Sequence, residues 1–269
     1  MKPVIAILVA AAVLLPGVVR AESQEDPLKS VMWSSMAGIL ERVSDGEIVF
    51  DNAVSVVAPS VAENQMEIPV TVDATKLGSV EKIVVVTDFN PIPHVLTYEP
   101  VDAAPYISFR VKVEQATPIR AAVLTEDGTW HVGGVLVDAA GGGCTAPALS
   151  HGQDDWISHL VEVRAKIWRY ANDTDARLRV KIRHPMDTGL ADGIPAFFMN
   201  RLEIKAPDQR VLGRLDIRQP VSEHPTFTLK PNLAMTTDYL QLQGRDTDGN
   251  LVNVKVPAPH ATSSQALFH

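Results

Sequence analysis

The chain contains a single cysteine, Cys144, and three consecutive glycines, Gly141–Gly143, lead directly to it. Glycine has no Cβ atom, so this run has wide conformational freedom and few side-chain atoms with which to pack. A structural cysteine is normally a small buried hydrophobic residue surrounded by neighbours of similar size. The pattern therefore predicts an exposed thiol on a flexible arm, within reach of a substrate or another protein. The alternative is an inert thiol in a loop.

No Lys, Arg or His lies within five residues of Cys144 in the sequence. The sequence therefore predicts a thiol pKa near the usual value of about 8.5, with activation supplied by a partner enzyme. His151 offers an alternative, as a base that activates the thiol or as a second metal ligand. His159 follows eight residues later. A flexible loop gives such pairs no rigid geometry, so no catalytic residue and no metal site are predicted.

The first residues have the pattern of an export signal. Lys2 precedes the apolar run Val4–Leu15, and Val19-Arg20-Ala21 provides small residues at a cleavage position, which predicts a signal peptide over residues 1–21. An uncleaved anchor is the alternative, because Arg20 is unusual before a cleavage site. No other apolar stretch is long enough to span a bilayer, which needs roughly 20 residues. After export, a lone cysteine predicts a monomer or a disulfide-linked dimer.

The net charge of −8 and the absence of a basic tract argue against nucleic acid and anionic lipid as partners. An acidic chain is instead expected to attract basic partners. No phosphate loop, dinucleotide fingerprint or Gly-x-Ser-x-Gly motif is present, so no cofactor is predicted. Asp246, Asp248 and Asn250 have a spacing that suggests calcium, but a hairpin turn explains them better.

The hydrophobic pattern predicts an all-β fold, with two immunoglobulin-like β-sandwiches in tandem and one short N-terminal helix. Asp26 and Pro27 are expected to cap and begin a helix over residues 27–43. Short runs rich in Val, Ile and Thr follow, seven before Cys144 and seven after it. The predicted division is a first domain over 27–143, a cysteine-bearing linker over 144–155, a second domain over 156–258 and a tail over 259–269.

Several motifs resemble the two subunits of the SoxYZ sulfur carriers. The SoxY-like segments are Ala58–Asn64, Ile68–Val72, Asp88–Pro93 and Gly142-Gly143-Cys144, and the SoxZ-like segments are His184–Gly189 and Asp246–Gly249. The last SoxY-like segment partly matches the Gly-Gly-Cys-Gly-Gly arm of that family. The chain is most similar to the fused SoxYZ-like carriers associated with quinoprotein dehydrogenases.

The resemblance implies a periplasmic carrier that is not an enzyme. It implies that Cys144 holds a sulfur-containing intermediate of thiosulfate oxidation covalently, on the flexible arm Gly141–Gly143. The implied partners are periplasmic redox enzymes, either a quinoprotein dehydrogenase or Sox-type enzymes. Unlike the family arm, this chain continues through Thr145–Pro147 into a second domain, which tethers the thiol. Two alternatives remain, an accessory module that carries nothing and a thiol enzyme.

Overall fold

The computed structural model describes residues 25–169 and 176–259, so the predicted signal peptide (1–21) and most of the predicted tail lie outside it. Within these residues the elements are the α-helix α1 (Trp33–Glu41), two 3-10 helices (Leu149–Gly152 and Trp156–His159) and the strands β1 (Ile48–Phe50), β2 (Ser55–Val57), β3 (Ile68–Asp73), β4 (Val80–Thr87), β5 (His94–Glu99), β6 (Ala103–Val111), β7 (Thr117–Thr125), β8 (Trp130–Val137), β9 (Val163–Arg169), β10 (Ala176–Ile182), β11 (Met199–Lys205), β12 (Val211–Ile217), β13 (Thr226–Pro231), β14 (Tyr239–Asp246) and β15 (Leu251–Pro257). The prediction of an all-β fold with one short helix is confirmed.

The helix begins later than its sequence pattern indicates. Asp26 does not cap α1, because its carboxylate accepts the backbone N–H groups of Leu28 and Ser30 in a separate turn. Lys29, with a φ of 50°, interrupts the helical conformation after that turn. The start predicted at residue 27 is therefore wrong, and α1 begins at Trp33.

The strands form two sheets that are packed as a sandwich. The nine-stranded sheet has the order β1-β8-β7-β4-β5-β12-β11-β14-β15, and the six-stranded sheet has the order β2-β3-β6-β13-β10-β9. Strands β1–β8 belong to the N-terminal half and β9–β15 to the C-terminal half, so each half contributes to both sheets. The two predicted sandwiches lie edge to edge, and their sheets are continuous.

Two antiparallel strand pairs join the halves, and we call this junction the seam. In the nine-stranded sheet β12 pairs with β5, where Leu215 lies opposite Tyr98. In the six-stranded sheet β13 pairs with β6, where Leu229 lies opposite Ile107. All four side chains are buried in one apolar cluster that extends through both halves. The halves therefore share a core rather than being connected only by a linker.

Helix α1 covers the outer side of the nine-stranded sheet in the N-terminal half. Met36 and Leu40 pack there against Val84, Trp130 and other residues of β4, β7 and β8. Beside this cluster, the buried Arg120 of β7 bonds to the carboxylates of Asp26 and Asp88. In the described residues no helix is both long and apolar enough to cross a membrane.

Candidate functional site

The segment around Cys144 lies at the seam and extends the edge of the core. Strand β6 ends at Val111, and just after it the Val113 carbonyl accepts the Gly143 N–H over 3.1 Å. The thiol of Cys144 donates to the Lys112 carbonyl, with 3.7 Å between Sγ and O. Cys144 is only 1% exposed. The expectation of an exposed thiol is therefore wrong for this conformation, because the segment packs on the chain after β6.

The three glycines meet a geometric requirement of this packing. Gly141 and Gly142 have φ values of 110° and 84°, which side-chain-bearing residues rarely adopt. A Cβ atom on Gly143 would lie 2.3 Å from the Gln65 carbonyl oxygen and 2.4 Å from that of Val113. The glycine run thus lets the chain turn and then approach two backbone segments closely. Its role as a flexible arm stays a prediction.

Glu114 holds the cysteine segment from the N-terminal half. Its Oε2 atom accepts the backbone N–H groups of Cys144 at 3.0 Å and of Thr145 at 3.2 Å. The Thr145 hydroxyl donates to the other carboxylate oxygen at 3.1 Å. Hydrogen bonds to an ionised carboxylate are among the stronger ones in proteins. This carboxylate is therefore the main polar contact that holds the backbone at Cys144.

Thr188 holds the same residue from the C-terminal half. Its hydroxyl donates to the Cys144 carbonyl over 2.6 Å, and both groups are buried. Thr188 belongs to the segment His184–Gly189, in which Met186 has a φ of 56° and Gly189 a φ of 80°. These two residues turn the segment toward the cysteine. The SoxY-like and SoxZ-like motifs, which are far apart in sequence, therefore meet at one backbone position.

A buried lysine lies beside the thiol. Lys112 is 1% exposed, and its Nζ donates to the Met186 carbonyl over 2.6 Å. Burial lowers the pKa of Lys112, while the negative charges of Asp187, the Cys144 thiolate and Glu223 act in the opposite direction. A positive charge at this position stabilises any anion that forms on the neighbouring sulfur.

The thiol itself is held in its protonated form. Burial, together with the nearby Glu114 carboxylate, raises the pKa of Cys144 to about 12, although the positive charge of Lys112 partly opposes both effects. The expected value near 8.5 is therefore wrong for this conformation. A thiol is nucleophilic as the thiolate, so Cys144 is unreactive at neutral pH as long as it stays buried.

The two histidines that flank the linker do not act on the thiol in this arrangement. The Nε2 atom of His151 lies 2.9 Å from the carboxylate of Asp187, which is 4% exposed. The His159 ring lies 3.1 Å from the Asp155 carboxylate, near solvent. His151 thus attaches the linker to the C-terminal half. Among the described residues no group of three or more His, Cys, Asp and Glu side chains could hold a metal ion.

A second carboxylate attaches the linker beyond the cysteine. Glu223 accepts the backbone N–H groups of Leu149 and Ser150, each over 2.8 Å. Glu223 thus binds the linker backbone from the C-terminal half, and Glu114 binds the backbone at Cys144 from the N-terminal half. Both carboxylates were missed in the sequence, because neither lies near Cys144 along the chain.

His184 and Asp246 form a buried structural pair. The Nδ1 atom of His184 accepts the Met186 N–H at 3.1 Å, so Nε2 carries the proton and faces Asp246 Oδ2 at 3.4 Å. Burial lowers the pKa of His184 to about 4, and Asp246 opposes this shift. Asp246 also accepts the N–H groups of Asp248 and Asn250, which confirms the predicted hairpin turn.

Comparison with known proteins agrees with this arrangement. Residues 41–144 match the family of the sulfur oxidation protein SoxY. Residues 166–256 match the family of the sulphur oxidation protein SoxZ. The two matches lie in tandem, and the first ends at Cys144. No curated protein matches the sequence.

Two solved structures illustrate how far the likeness extends. The sulfur carrier protein SoxY from Chlorobium limicola f thiosulfatophilum is 21% identical over 39% of this chain and 96% of its own, with a TM-score of 0.35. A protein from Corynebacterium diphtheriae described as membrane anchored is 10% identical over 82% of this chain and 60% of its own, with a TM-score of 0.24. The family matches, together covering most of the sequence, decide the assignment. The chain belongs to the SoxY and SoxZ families, joined in tandem as a fused SoxYZ-like carrier.

Proposed function

We propose that this chain is a periplasmic carrier that binds a sulfur-containing intermediate covalently on Cys144 and presents it to partner redox enzymes. The observation that carries the proposal is the position of Cys144 between the two family domains. A side chain from each half, Glu114 and Thr188, bonds to its backbone. The apolar run near the N-terminus supports export to the periplasm. Sox-type enzymes or a quinoprotein dehydrogenase are the proposed partners.

Loading requires that the buried thiol becomes accessible. The contacts that hold it include the bonds of the glycine run to the Val113 and Glu114 carbonyls, the bond from the Cys144 N–H to the Glu114 carboxylate, and the bond from the Thr188 hydroxyl to the Cys144 carbonyl. Releasing them frees a short segment between β8 and the first 3-10 helix and leaves both sheets paired. The described structure is thus the closed form of the carrier, which protects the sulfur between partners.

The chemistry of loading is an exchange at sulfur. In the open form the Cys144 thiolate attacks a sulfur atom of the donor's S–S bond. A new S–S bond forms on Cys144, and the donor bond breaks with its electron pair on the leaving group. The thiol proton goes to solvent. Sulfur is transferred without any external oxidant, and a second exchange releases the cargo to the accepting enzyme.

Loading can be tested with tetrathionate, whose central S–S bond reacts with a thiolate and releases thiosulfate. The purified full-length chain is incubated with it at pH 7.5, and the intact mass is followed over time. We expect a reducible adduct that Cys144→Ala abolishes. Glu114→Gln weakens the bonds to two backbone N–H groups, worth about 1.5–3 kcal/mol for charged acceptors, so loading should be about 10- to 100-fold faster.

A matched control is Glu223→Gln, which loosens the linker on the other side of the cysteine. It should change the loading rate far less than Glu114→Gln, since Glu223 bonds to Leu149 and Ser150 rather than to Cys144. Equal loading rates in the two variants would show that the bonds of Glu114 to the backbone at Cys144 do not control access to the thiol.

The second candidate function is an accessory module that carries nothing. The 1% exposure of Cys144 and its pKa of about 12 favour it. Under this alternative neither the native chain nor Glu114→Gln would acquire an adduct, whereas the urea-unfolded chain would. Protein purified from its native source would then also have an unmodified thiol.

A further inference from the structure

The outer face of the six-stranded sheet is strongly basic in the C-terminal half and at the adjoining strand β6. Alternate residues of β9 and β10 point outward, and in the register of these strands Lys181 lies opposite Arg164 and Arg179 opposite Lys166. We call this the basic face, and its cations are Arg110, Arg164, Lys166, Arg177, Arg179, Lys181 and Lys230. Seven of the 24 Lys and Arg residues of an acidic chain therefore share one surface.

Few carboxylates offset this charge. In the described part of the chain, the ion pair on this face is that of Arg164 with Glu162, at 3.6 Å and with an arginine side chain that is 76% exposed. Glu162 also lies 3.8 Å from Arg183 at the margin. Between the cations lie the neutral side chains of Thr226, Thr228 and Ser108. Like charges on adjacent strands destabilise a sheet, so fold stability does not explain them.

We propose that the basic face binds an acidic surface of a partner protein. Successive outward side chains on a strand are roughly 6.6 Å apart, which is also the spacing of carboxylates at alternate positions of an extended acidic segment. A shallow cavity of about 210 Å³ at the margin is lined by Glu162, Arg164, Lys181, Arg183 and His224. In this cavity the Glu162 carboxylate lies between Arg164 and Arg183. A carboxylate of a partner protein could bind the cations of the face in the same way.

The aromatic residues of the face argue against single-stranded nucleic acid. Lys166 and Arg177 lie over the Trp168 ring, at 5.1 and 5.5 Å from its centre. Lys230 lies 4.0 Å from the centre of the Tyr106 ring. Bases bind single-stranded readers by stacking on open aromatic rings, and these rings are already covered.

A membrane surface is also disfavoured. Strands β6, β9, β10 and β13 contribute none of the exposed large hydrophobic side chains of the described residues. Stable binding at a bilayer surface needs buried apolar area as well as basic charge. The face offers the charge alone, which suits a salt-sensitive contact with a protein.

The position of the face connects it with the candidate site. Strand β10 leads directly into His184–Gly189, whose Thr188 bonds to Cys144. Arg110 on β6 lies two residues before Lys112, whose carbonyl accepts the thiol. A protein docked on the basic face therefore has its margin next to the cysteine. This inference rests on the proposed function only in that a carrier must dock on a partner.

The expectation that this chain attracts basic partners is revised for this surface. Overall net charge describes steering at long range, whereas a contact depends on the local charges within about a Debye length, roughly 10 Å at 0.1 M salt. Within that distance the basic face is positive although the whole chain is negative.

The test uses a fluorescein-labelled poly-L-glutamate of about 20 residues and the full-length chain with Cys144→Ala, so that thiol chemistry plays no part. The variant Arg177→Gln/Arg179→Gln/Lys181→Gln removes three cations from the basic face. The control Arg201→Gln/Arg214→Gln/Lys205→Gln removes the same three types from the nine-stranded sheet. At 20 mM NaCl we expect the first variant to weaken binding at least 10-fold and the control less than 3-fold.

The outcomes separate the explanations. Equal weakening by both triple variants, or no binding of poly-L-glutamate at 20 mM NaCl, would overturn the proposal. Tighter binding of a 20-nucleotide single-stranded DNA, or of vesicles with 30% phosphatidylserine, would overturn it in favour of those ligands. Because Cys144 is absent from the assay, failure here leaves the tetrathionate test of the carrier function unaffected.

Discussion

The two outer faces of the sandwich carry similar cations in the C-terminal half but differ in what lies between them. On the nine-stranded sheet Glu203 accepts from Arg201 at 2.8 Å and lies 3.0 Å from Lys205 and 3.3 Å from Arg214. On the six-stranded sheet Arg179 has no ion-pair partner among the described residues. The first arrangement neutralises its charge locally, and the second leaves it for another molecule.

The N-terminal half contains a cation that is both fully buried and fully paired. Arg120 is buried under α1 and bonds to both Asp26 and Asp88, with all three side chains at most 8% exposed. A buried charge is tolerated only when its partners satisfy it, so these residues act as a structural unit. The comparison separates cations that carboxylates of the fold neutralise from the exposed cations of the basic face, for which we propose a role in association.

The largest expected effect comes from breaking the buried cluster. Arg120→Leu leaves the Asp26 and Asp88 carboxylates buried without their cation, and we expect unfolding free energy to fall by about 3–5 kcal/mol. Arg179→Leu on the basic face should change it by no more than about 0.5 kcal/mol. Urea denaturation followed by tryptophan fluorescence measures both. Similar losses in the two variants would remove the distinction between the faces.

Acid should lower the stability of the fold mainly through the buried cluster of Asp26, Asp88 and Arg120. Burial raises the pKa of Asp26, but hydrogen bonds from Arg120, Ser30 and Leu28 outweigh it and lower the pKa below the ordinary 3.8. A carboxyl group with a lowered pKa binds fewer protons when folded, so its stabilisation is lost as pH falls through and below 3.8. Denaturation measured from pH 6 to pH 3 should show this fall. The loss of unfolding free energy with falling pH should be shallower in Arg120→Leu than in the unmodified chain, and it should be unchanged in Arg179→Leu. An identical slope in the unmodified chain and both variants would contradict the role given to Asp26 and Arg120.

A smaller effect is expected in the exposed cluster. Glu203→Gln leaves three cations around a neutral side chain and should cost about 1 kcal/mol, the upper range for surface ion pairs. Lys181→Gln removes one of several like charges and should be neutral or slightly stabilising. Thermal unfolding at low salt compares the two. A cost for Lys181→Gln as large as that for Glu203→Gln would indicate an unrecognised partner on the basic face.

The strand pattern of this protein was largely predictable from its sequence. In the C-terminal half all seven predicted runs correspond to β9–β15, because they are rich in β-forming residues and most of them alternate apolar and polar residues. The three-residue β1, which pairs in parallel with β8, was missed because so short a strand has no periodicity of its own. The start of α1 was misplaced because Asp26 accepts the N–H groups of Leu28 and Ser30 in a separate turn, where it also bonds to Arg120, 94 residues away in the sequence.

The candidate site was likewise predictable from the sequence only in part. The cysteine and the segment His184–Gly189 were recognisable as motifs, but the burial of the thiol depends on Glu114 and Thr188, 30 and 44 residues from Cys144. The basic face did leave a signal in the sequence. Arg177-Leu178-Arg179-Val180-Lys181 places three cations on one side of a strand, which counting the net charge does not reveal.

The smallest expected effect is a difference in how salt acts on the two faces. Salt screens repulsion on the basic face, which stabilises the fold, and it screens attraction around Glu203, which destabilises it. Between 20 and 200 mM NaCl, Arg179→Gln/Lys181→Gln should therefore gain less stability from salt than the unmodified chain, by a few tenths of a kcal/mol. Glu203→Gln should gain more, because it has lost attraction and kept repulsion. Parallel urea denaturations at the two salt concentrations measure these differences. If both variants shifted in the same direction, the charges of the two faces would be acting through the net charge of the chain rather than through their local neighbours.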